Sequence, residues 1–300
     1  MKLIALLLAV VIERGTTSLF DLGELRWLDR YFDKGLGAVR RYGGWAGFAI
    51  ALVVIALPVV PVAWVAIAFR DVLWGGAYIG FAVAVLLFSL GPRDLSSEVD
   101  DFVRSTRRGD DERARHVARE LLETEPPQDR TRRTLAIEEA IFVQASHRTF
   151  SVILWFALLG PAGAWLFRVT DLLRRRAFFE ADRVRDEGQA YGCDLFVTQQ
   201  IHGVLAWLPA RLVALTFALA GSFEPAVADW RGYYQDMSER FFDVNDDIVA
   251  RSGLGALGAT PDGDEAVEVR GALAAMSLVR RSEVIWLVAF AVLTIIGALA

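Results

Sequence analysis

The sequence predicts an all-α, polytopic integral membrane protein with about four to six embedded helical segments, some broken or re-entrant, and a polar helical excursion. Hydrophobic residues make up 54% of the 300 residues and the mean hydropathy is +0.37, above ordinary globular usage. The apolar residues are also segregated, because long uncharged runs alternate with runs dense in Arg, Asp and Glu. The chain has no internal repeat and no strand pattern bounded by turn chemistry.

Leu3 to Ile12 is apolar but too short to cross roughly 30 Å of hydrocarbon alone. It ends in Glu13-Arg14 with no A-x-A site after it, so it reads as a retained, partly embedded helix rather than a cleaved signal. Glu13 to Arg41 mixes charges and spaces Trp27, Tyr31 and Phe32 along one side, as an interfacial helix or a packing helix with a solvated face would. Tyr42 to Phe69 and Val72 to Pro92 carry no charge and form a membrane hairpin through Arg70-Asp71, with Pro58 and Pro61 expected to kink its first arm.

From Arg93 to Arg148 the chain leaves the bilayer as helix on helix. Ser96 or Ser97 is expected to cap a first helix and Asp110 a second that runs through Glu123; Pro126-Pro127 end it before a third begins near Asp129. Leu135, Ile137, Ile141 and Phe142 give this third helix an apolar stripe. The excursion carries eleven arginines, and the positive-inside bias places it in the cytoplasm and the Arg70-Asp71 turn outside.

Thr149 to Phe167 is the next span, interrupted by Gly160-Pro161-Ala162-Gly163. Strict alternation would put Arg168 to Asp194, with Arg174-Arg175-Arg176, outside. Either the charge bias is overridden there, or the Gly-Pro break returns the chain to the cytoplasmic side. The second is favoured, since Gly-Pro breaks the helical ladder and non-helical backbone survives at membrane depth only where protein covers it. Leu195 to Phe223 is apolar except for a few polar residues and one arginine, Glu224 to Ala250 reads as a polar aromatic helix, and Gly253 to Asp264 as a loop. A last helix from about Glu265 passes Arg280-Arg281 into the uncharged run Val284 to Ala300. Segments 1–92, 93–148, 149–223 and 224–300 are thus parts of one integrated domain.

Composition excludes several classes. A single cysteine, Cys193, allows no intrachain disulfide and no thiolate cage. The net charge of −5 comes from 32 basic and 37 acidic residues interleaved along the same loops, which offers no basic face to nucleic acid. There is no G-x-x-x-x-G-K-[ST], lysine occurs only at positions 2 and 34, and the G-x-G-x-x-G match at 253 to 258 lacks a βαβ setting. The three histidines are scattered, so no metal site, and no cofactor, is expected.

The stretch AWLPARLVAL, 206 to 215, carries the sharpest question. An arginine at membrane depth faces protein or a watery cavity and has a partner. Arg211 therefore reads either as an anion site for phosphate or carboxylate or as an internally paired or snorkelling residue. Pro209 frees a backbone carbonyl that Arg211 or water could satisfy. On the third excursion helix, Glu138-Glu139 precede Gln144, His147, Arg148 and Ser151, whose spacing puts them near one face; a binding site or a hydrated helix end fits equally. His202 reads as a satisfied buried histidine or a neighbour of the Arg211 motif. Asp243-x-Asn245-Asp246-Asp247 lacks the Gly and terminal Glu of a calcium loop and reads as a solvated acidic surface.

The head MKLIALLLAVVIERG, the stretch LLGPAGAWLFRVTDLL (158 to 173), WLPARLVAL (207 to 215) and the terminal apolar helix resemble, in order and spacing, the AmpE family of inner-membrane proteins. The GPAGAW and WLPARL strings are also similar to the CobD/CbiB family, whose members attach an aminopropanol-phosphate arm to the corrin. The resemblance implies a structural motif of Gly160, Pro161, Gly163, Trp207 and Pro209, with Arg168 and Arg211 as retained basic residues. It also implies departures: Asp171 stands where those enzymes keep an Asn, Arg174 where they keep an Asp, and His202-Gly203 and Ala206 where they have Asp-Asp and an Asn. Asn245 falls roughly at a further family Asn.

Amide formation on a phosphorylated substrate would want those carboxylates, so no catalytic residue is expected. What the resemblance implies is an inner-membrane, multi-pass regulator of β-lactamase induction. Its ligand-binding candidates are Arg168, Arg211, His202, Asp171, Glu139, Gln144, His147 and Asn245, for a small anionic ligand. Its partners are the lipid bilayer and a cytoplasmic or membrane protein docking on 93–148. A CobD/CbiB-type enzyme and a non-catalytic scaffold remain the alternatives.

Overall fold

The computed structural model describes residues 2–15, 26–70, 76–90, 95–186, 193–223, 244–258 and 266–297, and among them every regular element is helical. In chain order these are α1 (Lys2–Gly15), α2 (Arg26–Tyr42), α3 (Gly44–Ala68), α4 (Gly76–Leu90), α5 (Leu95–Arg108), α6 (Asp111–Leu122), α7 (Arg130–Ala145), a π-helical turn (Ser146–Phe150), α8 (Ser151–Leu159), α9 (Pro161–Asp186), α10 (Cys193–Ala220), α11 (Asn245–Leu257) and α12 (Val267–Ile295). Four helical stretches are long and apolar enough to cross a membrane: Gly44–Ala68, Gly76–Arg108, Arg130–Leu159 and Asp194–Ala220. The chain divides into two compact units. The first comprises Met1–Pro92, Ser151–Ala206 and Leu293–Ala300, and the second Arg93–Phe150 and Trp207–Val292.

In the first unit, the amphipathic α2 buries Leu28, Phe32, Leu36 and Val39 with Ala51, Val54 and Ile55 of α3 and with Trp165, Val169, Leu173 and Ala177 of α9. This is the packing form of the two α2 readings; the Trp27 side chain lies outside the described residues. Gly35 lets the helices approach, since a Cβ there would meet Val54 Cγ2 at 2.7 Å. α3 runs through both of its prolines. Pro58 removes the N–H that would bond the Val54 carbonyl, and the Tyr31 hydroxyl donates to that oxygen at 2.7 Å instead. The outer side of α3 presents Leu57, Val60, Trp64 and Ile67, as expected of a lipid-facing helix. Ion pairs tie the polar ends: Arg40 donates to Asp194 at 2.6 Å and Arg176 is bidentate on Asp33 at 2.7 and 3.0 Å.

The expected span Thr149 to Phe167 does not run through. α8 stops at Leu159, Gly160 takes the left-handed conformation with φ 69°, and Pro161 opens α9. Proline suits a first helical turn, where its missing N–H would have no partner anyway. α9 then folds back on α8 so closely that a Cβ on Gly163 would sit 2.2 Å from the Trp155 carbonyl oxygen.

The second unit is built on one apolar core from Val99, Phe102 and Val103 of α5, Leu121 of α6, Ile137, Ile141 and Phe142 of α7, Val213 and Phe217 of α10, Val249 of α11 and Leu278 and Val279 of α12. Asp110 and Asp129 cap α6 and α7 as expected, accepting from Arg113 and Arg132 backbone N–H at 3.0 and 2.9 Å. Ser96 and Ser97 do not precede the first excursion helix but lie inside its first turn, because α5 already begins at Leu95. Leu135 leaves the expected stripe and is 46% exposed.

Gly253 to Leu257 is helix rather than loop. Its glycines serve packing, since a Cβ on Gly253 would strike the Phe142 ring at 2.4 Å, and the helix ends at Gly258 with φ 64°. The last helix starts at Val267, two residues after the expected point. Residues 224–243 and 259–265, covering most of the expected polar aromatic helix and Asp243, lie outside the described residues.

Candidate functional site

The turn at Gly160 sets the register of α9, and the helical spacing then puts Arg168, Arg174 and Arg175 at three or four residues from Asp171, on one side. Asp171 is fully buried. Its Oδ2 accepts from Arg168 Nη1 at 3.4 Å and Arg175 Nε at 2.9 Å, and its Oδ1 from Arg174 Nη2 at 3.1 Å. Three guanidinium charges thus share one carboxylate, and the Arg168 side chain is itself only 9% exposed. Guanidinium groups gathered in this way are of the kind that bind carboxylate or phosphate in bidentate fashion. The Phe167 ring packs at a tilt of 47° against the buried His202 of α10 with centroids 5.1 Å apart, and a His202 ring nitrogen lies within 4.8 Å of an Asp171 oxygen. One turn further, hydrogen bonding to Asp33 raises the Arg176 pKa above its ordinary value, which fixes that charge at physiological pH.

The second unit gathers another set. Arg211 of α10 donates through Nη1 to the Trp207 carbonyl at 2.9 Å and to Asn245 Oδ1 at 2.5 Å, and its guanidinium lies 4.6 Å from the Trp207 ring centroid. These three contacts are to a carbonyl, an amide and an aromatic face, the last a cation–π arrangement. The carbonyl freed by Pro209 is that of Leu205, four residues back, and the Trp155 indole N–H donates to it at 3.1 Å. Asn245, Asp246 and Asp247 form the first turn of α11, where the helix dipole favours acidic side chains. Asp246 Oδ1 lies 2.7 Å from Nε2 of the buried His147.

The candidates on α7 and the π turn go to separate partners. Gln144 donates to the Leu121 carbonyl at 3.3 Å and to Glu123 at 3.0 Å, His147 meets Asp246, and Arg148 bonds both oxygens of Glu98 at 2.9 Å. A π turn inserts a residue into the helical register, which is why near neighbours in sequence diverge here. Glu139 is half-buried on α7, and the neighbouring Glu138 carboxylate packs against Gly271 of α12. Arg168, Asp171 and His202 belong to the first unit and Arg211, Asn245, His147, Gln144 and Glu139 to the second. Sequence spacing singled out neither Arg174 nor Arg175 as a site residue, although both stand at helical contact distance from Asp171; Glu98 and Trp155 had no local signal.

A family model described as regulatory signalling modulator protein AmpE matches residues 1–300. The cobalamin biosynthesis protein CobD of Chromobacterium violaceum is 28% identical over 186 residues, covering 60% of this chain and 55% of that protein. The CobD of Stutzerimonas stutzeri is 26% identical over 238 residues, covering 79% of this chain and 72% of that protein. The chain therefore spans little more than half the length of the first of these relatives. No solved structure matches the chain.

Proposed function

This chain belongs to the AmpE family and is a multi-pass membrane protein, and from that premise we propose that it is a sensor-like regulator of the bacterial inner membrane that modulates β-lactamase induction or the response to cell-wall damage. The observation that carries the proposal is Asp171. Both oxygens of this buried carboxylate are engaged by Arg168, Arg174 and Arg175, which gathers on one side of α9 three guanidiniums, groups suited to a small anion. An anion competing with Asp171 for these guanidiniums would change how α9 is held, and a ligand with different affinity for two arrangements shifts their populations. The helices of 93–148 are the surface through which a cytoplasmic or membrane partner reads that change. The test is a strain lacking the gene, complemented with the wild type: complementation should restore the level of β-lactamase produced on β-lactam challenge, and an induction level indifferent to the gene contradicts the proposal.

The similarity to proteins named for cobalamin biosynthesis supports a second reading, a membrane enzyme joining a phosphorylated amino alcohol to an acid. Glu138, Glu139 or Asp171 would then have to replace the missing carboxylates. Restoration of corrinoid assembly in a strain lacking the cobalamin enzyme would favour this reading over the first.

A further inference from the structure

Helix α12 has two different sides. One is buried in the second unit: Leu278, Val279 and Ser282 are covered, Trp286 donates to Thr216 Oγ1 at 2.9 Å, and its ring packs on Phe150 at 5.3 Å. The other side holds a groove of about 350 Å³ lined by Asp100 of α5 and by Leu273, Met276, Ser277, Arg280, Arg281 and Val284 of α12. Arg280 and Arg281 are exposed, and among the described residues neither is in an ion pair with a carboxylate. Asp100 supplies the groove's one negative charge against these two positive ones.

Beyond the arginines the same side turns wholly apolar. Val284, Val288 and Val292 follow at helical spacing and are 56%, 57% and 53% exposed, with no charged residue between Val284 and Ile295. Eleven residues from Arg281 to Val292 rise about 17 Å, close to the roughly 15 Å half-thickness of a bilayer's hydrocarbon. A cationic notch thus sits at the foot of an open apolar track one leaflet long. A free anion would need no track, and an apolar helix packed on the track would bring no anion to the two arginines.

We propose that this groove binds an anionic phospholipid, with the headgroup phosphate on Arg280 and Arg281 and one acyl chain along Val284, Val288 and Val292. Both arginines supply charge-assisted hydrogen bonds to phosphate oxygens, and basic residues at a helix–membrane boundary attract anionic headgroups. The site lies wholly in the second unit and is independent of the Asp171 cluster.

The test uses the full chain purified in detergent, titrated with phosphatidylglycerol, phosphatidylcholine or inorganic phosphate and read by native mass spectrometry. Phosphatidylglycerol should be retained in preference to phosphatidylcholine, and Arg280→Gln/Arg281→Gln should weaken it about thirtyfold. Arg280→Lys/Arg281→Lys should keep most of the binding, and the exposed control Arg107→Gln/Arg108→Gln should change it little. Val284→Ser/Val288→Ser should weaken lipid binding at intact charge. Equal retention of phosphatidylcholine overturns the proposal, as does displacement of the lipid by equimolar inorganic phosphate. A loss in the Gln pair no larger than in the control overturns it too.

Discussion

The Trp155 indole N–H donates to the Leu205 carbonyl oxygen at 3.1 Å, four residues before Pro209. The helical hydrogen bond that Pro209 cannot make is thereby replaced by one from another helix. Trp155→Phe should leave that carbonyl unsatisfied and destabilise the protein by about 1–2 kcal/mol. Pro209→Ala restores the N–H, so the double variant should lose less than the sum of the two single changes. Thermal unfolding of the four proteins in detergent checks this, and strict additivity would refute the relationship.

Tyr31 does the same for Val54 opposite Pro58. Burial raises the Tyr31 phenol above its ordinary pKa, so the folded state binds this proton more tightly than the unfolded chain. Its contribution is complete below the unfolded value of about 10 and is lost as pH rises through the folded value. Tyr31→Phe should therefore cost about 1 kcal/mol at neutral pH and flatten the alkaline limb of stability, as unfolding measured across pH 9 to 12 would reveal.

Gly163 has no room for a side chain against the Trp155 carbonyl. Gly163→Ala should separate α8 from α9 at a cost of about 3 kcal/mol, seen as loss of protein from the membrane fraction. Gly160→Ala, which forces a left-handed residue and brings a Cβ to 3.1 Å from the Tyr78 hydroxyl, should cost about 1–2 kcal/mol.

Asp171→Asn would remove the buried negative charge on which Arg168, Arg174 and Arg175 converge and should destabilise by about 3–5 kcal/mol. Adding Arg174→Gln should recover part of the loss, because one of the converging charges is removed. Melting temperature of the extracted protein is the readout; a single variant as stable as the wild type would show that the carboxylate does not hold the cluster.

The breaks were legible in the sequence, while their repairs were not. Pro58, Pro209 and Gly160-Pro161 mark where a backbone group loses its partner, a local property of the chain. Tyr31 and Trp155, which supply the replacements, come from helices far away in sequence and leave no periodic trace. The caps Asp110 and Asp129 were legible for the same local reason. Gly253 to Gly258 misled because several glycines in a short stretch look like a loop, when Gly253 in fact makes room for Phe142. The π turn at Ser146–Phe150 changes the register without any proline or glycine to announce it. Of the site, Arg168 and Arg211 stood out as charges in apolar surroundings. Arg174 and Arg175 were hidden in what reads as an ordinary basic run until Asp171 proved buried between them.

The proposed role rests on the arginines around Asp171 acting on an anion. The most direct measurement is β-lactamase induction in a strain whose chromosomal copy carries Arg174→Gln/Arg175→Gln, changes at partly exposed side chains, with membrane level of the protein measured alongside. Altered induction at a wild-type membrane level is the predicted result; induction indistinguishable from wild type at that level would contradict it.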